Sequence, residues 1–227
     1  MLPLYDTIPS RRWPLVNWML ILANVIVFFF EIGLGETLLQ RFIFTWGLVP
    51  VRLFRDPIHS WHTIFSSMFL HGGWFHLLSN MWILFIFGDN VEDRLGHARY
   101  LLFYLLSGVA AALLQAFLMP LSRVPMVGAS GAIAGILGAY MILFPYSRIV
   151  SLIPFFFFLT TAEIPAVIYL GFWFLSQLYS GLFSLAGAPA SGIAWWAHIG
   201  GFLFGLLMIG FFAPRPRRVV YYSQDGW

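Results

Sequence analysis

Read from the N-terminus, the sequence alternates long apolar runs with short segments that hold nearly all of its charge. A helix that crosses the hydrocarbon core of a bilayer needs about 20 largely apolar residues. Six stretches meet or approach that length, at about 15–33, 70–88, 100–119, 129–144, 164–183 and 194–212. The first follows Arg11 and Arg12, as the apolar part of a signal peptide would. No small-residue cleavage site closes it and five more runs follow, which makes it a retained anchor. The fourth run is short. The stretch from Ile149 to Phe183 is too long for one perpendicular crossing and is interrupted by Pro154 and Pro165, so an interfacial piece is expected before the fifth helix. Residues 34–62 make a connection longer than an ordinary loop, the mark of a structured element. The pattern predicts an all-α, polytopic membrane protein. Its six-helix bundle forms a single domain over residues 1–227, with no internal repeat.

Composition agrees with lipid as the solvent. Of 227 residues, 60% are hydrophobic and only 9% charged, whereas a soluble globular domain carries roughly 25% charged residues. A water-facing surface cannot be built from so few charges. There is no cysteine, which excludes disulfides, thiolate metal sites and a cysteine nucleophile. The basic residues are all arginine and lie between apolar runs, so they bear on topology and not on nucleic acid. With the N-terminus in the cytoplasm, Arg11, Arg12, Arg94, Arg99, Arg148, Arg215, Arg217 and Arg218 fall inside. Arg41, Arg52, Arg55 and Arg123 fall outside. Arginine excess marks the cytoplasmic face, so both termini are expected there, with Arg215, Arg217 and Arg218 as a topology anchor.

In that orientation the second, fourth and sixth helices enter from the outer face, and each carries its polar residues near its start. These are His71, His76 and Asn80, then Ser130, then His198. Such groups are costly inside a membrane and face a bundle interior or water. The fourth helix opens Gly128-Ala129-Ser130-Gly131, and its short length submerges its N-terminus, where unpaired N–H groups suit a developing oxyanion. Ser130 is thereby placed as a nucleophile, and His198 is its base if the fourth and sixth helices touch. Gly131, Gly135 and Gly138 on one helix and Gly201 and Gly205 on the other permit that contact. His76 and Asn80, four apart on one helical face, can both donate hydrogen bonds beside Ser130. His71 lies about 140° round the same helix from His76 and is read as holding the outer loop. No metal-ligand pattern is present: there is no His-Glu-x-x-His and no acidic residue near the outer ends of these three helices. No cofactor is expected.

Three segments resemble the rhomboid family of intramembrane serine proteases. They run from His71 through His76 to Asn80, over Gly128-Ala129-Ser130-Gly131, and from Ala197-His198 through Gly201 to Gly205. Their order, spacing and helix placement all agree with that family. The resemblance implies a six-helix fold and a Ser130–His198 dyad with no acidic third member. It also implies oxyanion stabilisation by His76, Asn80 and the Ser130 N–H, and transmembrane proteins as substrates, cleaved near the outer face. The long outer connection is similar to the family's first loop. Two departures stand out. Trp61-His62 replaces the frequent Trp-Arg of that loop, which leaves its anchoring open. Ala134 stands where an aromatic residue often packs on the histidine, so a neighbour such as Trp195 or Trp196 is a candidate for orienting His198.

Hydrolysis at this depth requires an outward-open polar cavity, and a substrate helix must unwind before its backbone can react, which Gly or Pro near the cut would favour. Phe172, Trp173 and Phe174 of the fifth helix are read as lipid-facing, and Glu163 as interfacial. The expected location is a prokaryotic plasma membrane, with lipid and membrane-protein substrates as the partners and no nucleic acid. A transporter would instead show inverted repeats or a polar path across the whole bilayer. A non-catalytic, client-binding relative would lack the serine or the histidine.

Overall fold

In lipid a backbone has no water to bond with, so apolar runs satisfy their own N–H and C=O groups as helices. The computed structural model describes residues 1–155, 158–185 and 192–214; Arg215, Arg217 and Arg218 lie outside the described residues. The chain begins with a strand, β1 (Leu2–Asp6), and a long helix, α1 (Leu15–Gly33). The connection expected to be structured folds as α2 (Glu36–Trp46), α3 (Pro50–Arg55), α4 (Pro57–Ser60), α5 (Thr63–Ser66) and a 3-10 turn, Ser67–Phe69. Then come α6 (Trp74–Leu95), α7 (His97–Leu118) and α8 (Ser130–Leu143), a hairpin of β2 (Arg148–Phe155) and β3 (Phe158–Pro165), and finally α9 (Ala166–Leu185) and α10 (Trp195–Phe212).

Among the described residues, four helices (α1, α7, α9 and α10) are long and apolar enough to cross a membrane. The fourth apolar run, α8, has 14 residues, roughly 21 Å at helical rise. The second, α6, carries Asp89, Glu92, Asp93 and Arg94 in its last two turns.

The all-α expectation needs a correction. The fold is mostly helical, but the segment expected as an interfacial piece is an antiparallel hairpin, and β1 adds to it to give a three-stranded sheet ordered β1-β2-β3. Residues 148–165 are rich in β-branched and aromatic side chains, which suit strands. Hydropathy alone cannot separate a buried strand from a helix. Pro154 is tolerated in β2 because the β1 ladder stops at the pair Leu2↔Leu152, so no N–H is required of it on that side. Glu163 lies in β3, opposite Val150.

The sheet sits at the end of α8 opposite Ser130 and is tied to the bundle by polar contacts. Trp82 Nε1 donates to the Pro3 carbonyl at 2.7 Å. Asp6 accepts from Asn90 Nδ2 at 2.8 Å and from the Tyr140 hydroxyl, which also lies 3.0 Å from Ser147 Oγ. At the same end Glu92 accepts from the N–H groups of Val16 and Asn17 at 2.9 and 2.7 Å, so its carboxylate supplies the N-terminal cap that α1 lacks within its own sequence.

At the centre stands α8, buried at every residue from Gly131 to Tyr140. It packs most extensively on α10, with α7 and α6 on its other sides. The seam with α10 is backbone against backbone. A Cβ at Gly201 would stand 1.9 Å from the Gly131 carbonyl oxygen, one at Gly205 1.9 Å from that of Gly135, and one at Gly138 2.2 Å from that of Phe202. No side chain lies between the helices to yield, so a methyl there must separate them.

Two outcomes follow from this packing. Gly205→Ala should lower the thermal midpoint of the purified protein in detergent, with a stability loss of about 1–3 kcal/mol or more, as in other overpacked cores; a midpoint equal to wild type would contradict the close seam. At the opposite end, burial pushes the Asp6 carboxyl from 3.8 up to about 6, against the downward pull of the Tyr140 hydrogen bond. Folding therefore favours its protonated form. The stabilisation it gives is complete below about pH 4 and lost as pH rises through 6. Asp6→Asn should remove that decline, so that thermal midpoints of variant and wild type measured across this window diverge as pH rises.

Candidate active site

Ser130 is the first residue of α8 and His198 stands in the first turn of α10. The glycine seam brings these two helix starts together, and Ser130 Oγ lies 2.8 Å from His198 Nε2. The N-terminus of α10 is held in turn by α7: Gln115 Oε1 accepts from the Ala197 N–H at 3.2 Å. No side chain among the described residues caps α8, so its first N–H groups can face a bound group.

The approach to α8 is fixed from the connection between α1 and α6. The Gly128 N–H donates to the Ser67 carbonyl at 2.9 Å, and Leu48 and Met126 exchange backbone hydrogen bonds of 3.1 and 2.7 Å. Gly128 has φ +121°, and a Cβ there would stand 2.6 Å from His76 Nε2. Only glycine permits both the turn and the approach of that ring. His76 Nδ1 accepts from the Gly72 N–H at 3.4 Å. The ring proton then sits on Nε2, the nitrogen facing Gly128 and the start of α8. Asn80, 6% exposed, has no hydrogen-bond partner for Nδ2 among the described residues. His76, Asn80, Ser130 and His198 all line one cavity of about 510 Å³, which runs down to Phe87 and Leu137. All four residues singled out in the sequence thus meet at one place. His71 is buried beside them: its ring packs edge-on to His76, with centroids 5.1 Å apart, and its backbone N–H donates to both carboxylate oxygens of Glu31 at 3.1 and 3.3 Å. No cluster of three or more His, Cys, Asp or Glu able to hold a metal occurs among the described residues.

The two departures noted in the sequence have structural answers. Arg52, not residue 62, anchors the connection between α1 and α6. Its guanidinium donates to the carbonyls of Phe44, Thr45 and Gly47 at 2.5, 3.2 and 2.8 Å, satisfying the C-terminal end of α2. His62 packs edge-on against Trp46. With Ala134 offering no ring, Trp173 of α9 packs beside His198, tilted at 33° with centroids 6.0 Å apart, while Trp195 meets the imidazole edge-on at 6.1 Å. Trp196 turns toward Gly181 of α9 instead. The reading of residues 172–174 as lipid-facing holds for Phe172, which is 63% exposed. Trp173 and Phe174 turn inward onto Phe202. His198 Nδ1 lies 2.8 Å from Gln177 Oε1, also on α9.

Sequence reasoning passed over Gln177, Gln115 and Glu31, and read Arg52 only for topology. The first three are polar residues inside apolar helices, and that isolation was the available signal.

The Rhomboid domain family matches residues 59–215, well over half of the chain. The chain belongs to the rhomboid family. Relatives include the Arabidopsis thaliana chloroplast rhomboid-like protein 11, 36% identical over 114 residues, covering 50% of this chain and 40% of the relative. YdcA of Bacillus subtilis, provisionally named a rhomboid protease, is 35% identical over 131 residues, 58% of this chain and 63% of the relative. The mitochondrial rhomboid protein 1 of Saccharomyces cerevisiae is 30% identical over 159 residues, 67% of this chain and 42% of the relative. The chain spans less than two thirds of the length of each. These relatives, with the apolar helices, identify an integral membrane protein of the rhomboid type.

The turn at Gly128 gives a direct check on the site's construction. Gly128→Ala should cost about 1–3 kcal/mol, the range for a non-glycine residue held in a sparsely populated backbone region. Chemical or thermal unfolding in detergent would read it, and a neutral effect would mean the turn relaxes without displacing His76.

Proposed function

We propose that the chain is an intramembrane serine endopeptidase that cleaves transmembrane segments of other membrane proteins near the outer face, with Ser130 as nucleophile and His198 as general base. The observation that carries this is the 2.8 Å contact of Ser130 Oγ with His198 Nε2 on the wall of a cavity. Serine and histidine within hydrogen-bond reach form the minimal activated nucleophile.

Ser130 Oγ passes its proton to His198 Nε2 as it attacks the scissile carbonyl carbon. The oxyanion that forms meets His76 Nε2–H, Asn80 Nδ2–H and the Ser130 N–H. The unpartnered Asn80 donor fits a group whose partner arrives only in the transition state. His198 then returns the proton to the leaving amine, and a water, activated by the same nitrogen, releases the acyl group from Ser130. No acidic third member is assigned to the site.

In this reading α6 and α8 cross the membrane with α1, α7, α9 and α10, both termini are cytoplasmic, and Ser130 opens outward. The sheet then lies on the cytoplasmic side. A prokaryotic plasma membrane is the proposed location. The substrates are single transmembrane helices with Gly or Pro near the cut, because the site reacts with a peptide bond free of helical hydrogen bonding.

The purified protein should cleave a single-span test substrate. Ser130→Ala and His198→Ala should abolish cleavage, and Asn80→Leu should lower kcat by on the order of 10²–10³, the usual effect of losing one oxyanion donor. A fluorophosphonate should label wild type and not Ser130→Ala. Undiminished cleavage by either dyad variant would refute the assignment, and binding without cleavage by wild type would favour a non-catalytic client-binding protein.

A further inference from the structure

His198 needs its proton on Nδ1 if Nε2 is to accept from Ser130, and among the described residues nothing charged bonds to the ring to hold it there. The hydrogen bonds of α9 supply that constraint. Trp173, Ser176 and Gln177 occupy positions i, i+3 and i+4 and therefore share one helical face, the face turned toward His198. Ser176 Oγ donates to the Trp173 carbonyl at 2.6 Å. A carbonyl can only accept, so the single hydroxyl proton is committed and Ser176 Oγ is left as an acceptor. Gln177 Nε2 lies 3.0 Å from that oxygen. The amide's N–H side must face Ser176; the reverse orientation would set two lone pairs against each other. Gln177 is only 7% exposed, so its amide cannot turn to water to escape that cost. With the amide so oriented, Oε1 faces His198 Nδ1 at 2.8 Å and accepts its proton. His198 Nε2 is then unprotonated and faces Ser130 Oγ.

We propose that Gln177, with its amide oriented by Ser176, is the positioning residue of the site: a neutral acceptor that fixes the tautomer and ring direction of His198. This rests on the Ser130–His198 reading above. A carboxylate would hold the same tautomer, but as a buried charge in an apolar helix it would carry a large desolvation cost that an amide avoids. Trp173 packs at a tilt beside the imidazole and Trp195 meets it edge-on, so the ring direction is bounded by packing while the proton is placed by Gln177. Gln177 touches no reacting atom and acts through His198.

The test uses the full-length protein in detergent, with a single-span substrate and selective ¹⁵N labelling of histidine. In wild type the His198 ring should show a protonated Nδ1 and an unprotonated Nε2; the opposite tautomer would overturn the proposal without any variant. Gln177→Met, close in volume and without an acceptor, should lower kcat roughly tenfold or more while KM stays within about twofold, the pattern of a group that acts on chemistry and not on binding. Its His198 spectrum should lose the Nδ1–H signature. Gln177→Glu, whose buried carboxyl in its neutral form can donate to Ser176 Oγ and accept from His198 Nδ1, should recover most of the rate. Ser176→Ala should lower kcat in the wild-type background and add nothing in Gln177→Met, because its effect runs through the amide. A kcat for Gln177→Met within about twofold of wild type in folded protein, or an unchanged tautomer, would refute the positioning role. If Ser130→Ala also cleaves, the dyad reading itself falls, which separates the two failures.

Discussion

Everything near the site depends on the contact between α8 and α10, where Gly131, Gly135 and Gly138 meet Gly201 and Gly205 with no side chain between. In lipid, helices gain little from hiding apolar surface, because the surrounding chains are as apolar as the side chains. Association must come from close packing, and backbone contact is the closest packing available. The seam therefore sets a distance as well as a stability. It fixes where the first turns of the two helices lie, and Ser130 and His198 are both in those turns. The remaining supports locate the ends of the helices: Gln115 at the start of α10, Ser67 at Gly128, and Glu31 at the start of α6.

Polar groups in this chain fall into two ends with different logic. At the sheet end, Asp6, Asn90, Tyr140, Glu92 and Asn17 are bonded to one another or to backbone groups, and the result is a closed network. At the site end, Asn80 Nδ2 has no partner among the described residues and α8 has no side-chain cap. Closed networks rigidify, whereas unpaired donors converging on a cavity leave interaction energy for a ligand. The same division separates the scaffold from the site in each helix: α6 is tied down at its far end by Asn90 and Glu92 and presents His76 and Asn80 at the other.

Much of this was legible in the sequence because it rests on position along a helix. Apolar run lengths located the long helices, and the glycine spacings named the seam. The polar residues, at similar distances from helix starts, named the four residues that meet at one cavity. What was not legible depends on contacts between segments remote in sequence. The hairpin of β2 and β3 was hidden because an apolar run rich in Ile and Phe satisfies both a strand and a helix, and only pairing with β1, more than 140 residues away in sequence, decides between them. Arg52 could not be seen as an anchor, because its acceptors are carbonyls exposed only by the way α2 ends. Gln177 lay in a helix read for its aromatic residues, and its meaning appears only when α9 packs against the start of α10. The aromatic cover of His198 is also supplied from α9, by Trp173, while position 134 is alanine.

The shortness of α8 has a consequence for the surrounding bilayer. A transmembrane helix too short for the hydrocarbon core ordinarily thins or distorts the lipid beside it. Here the helix is enclosed from Gly131 to Tyr140 by its neighbours, so the deficit in length is never presented to lipid. It appears instead as depth, a recess inside the protein with the start of α8 on its wall. The lipid-facing helices are free to match the membrane, and the height of Ser130 is decided independently of them. A chain built this way can hold its cavity at one level while its rim adapts to bilayers of different thickness.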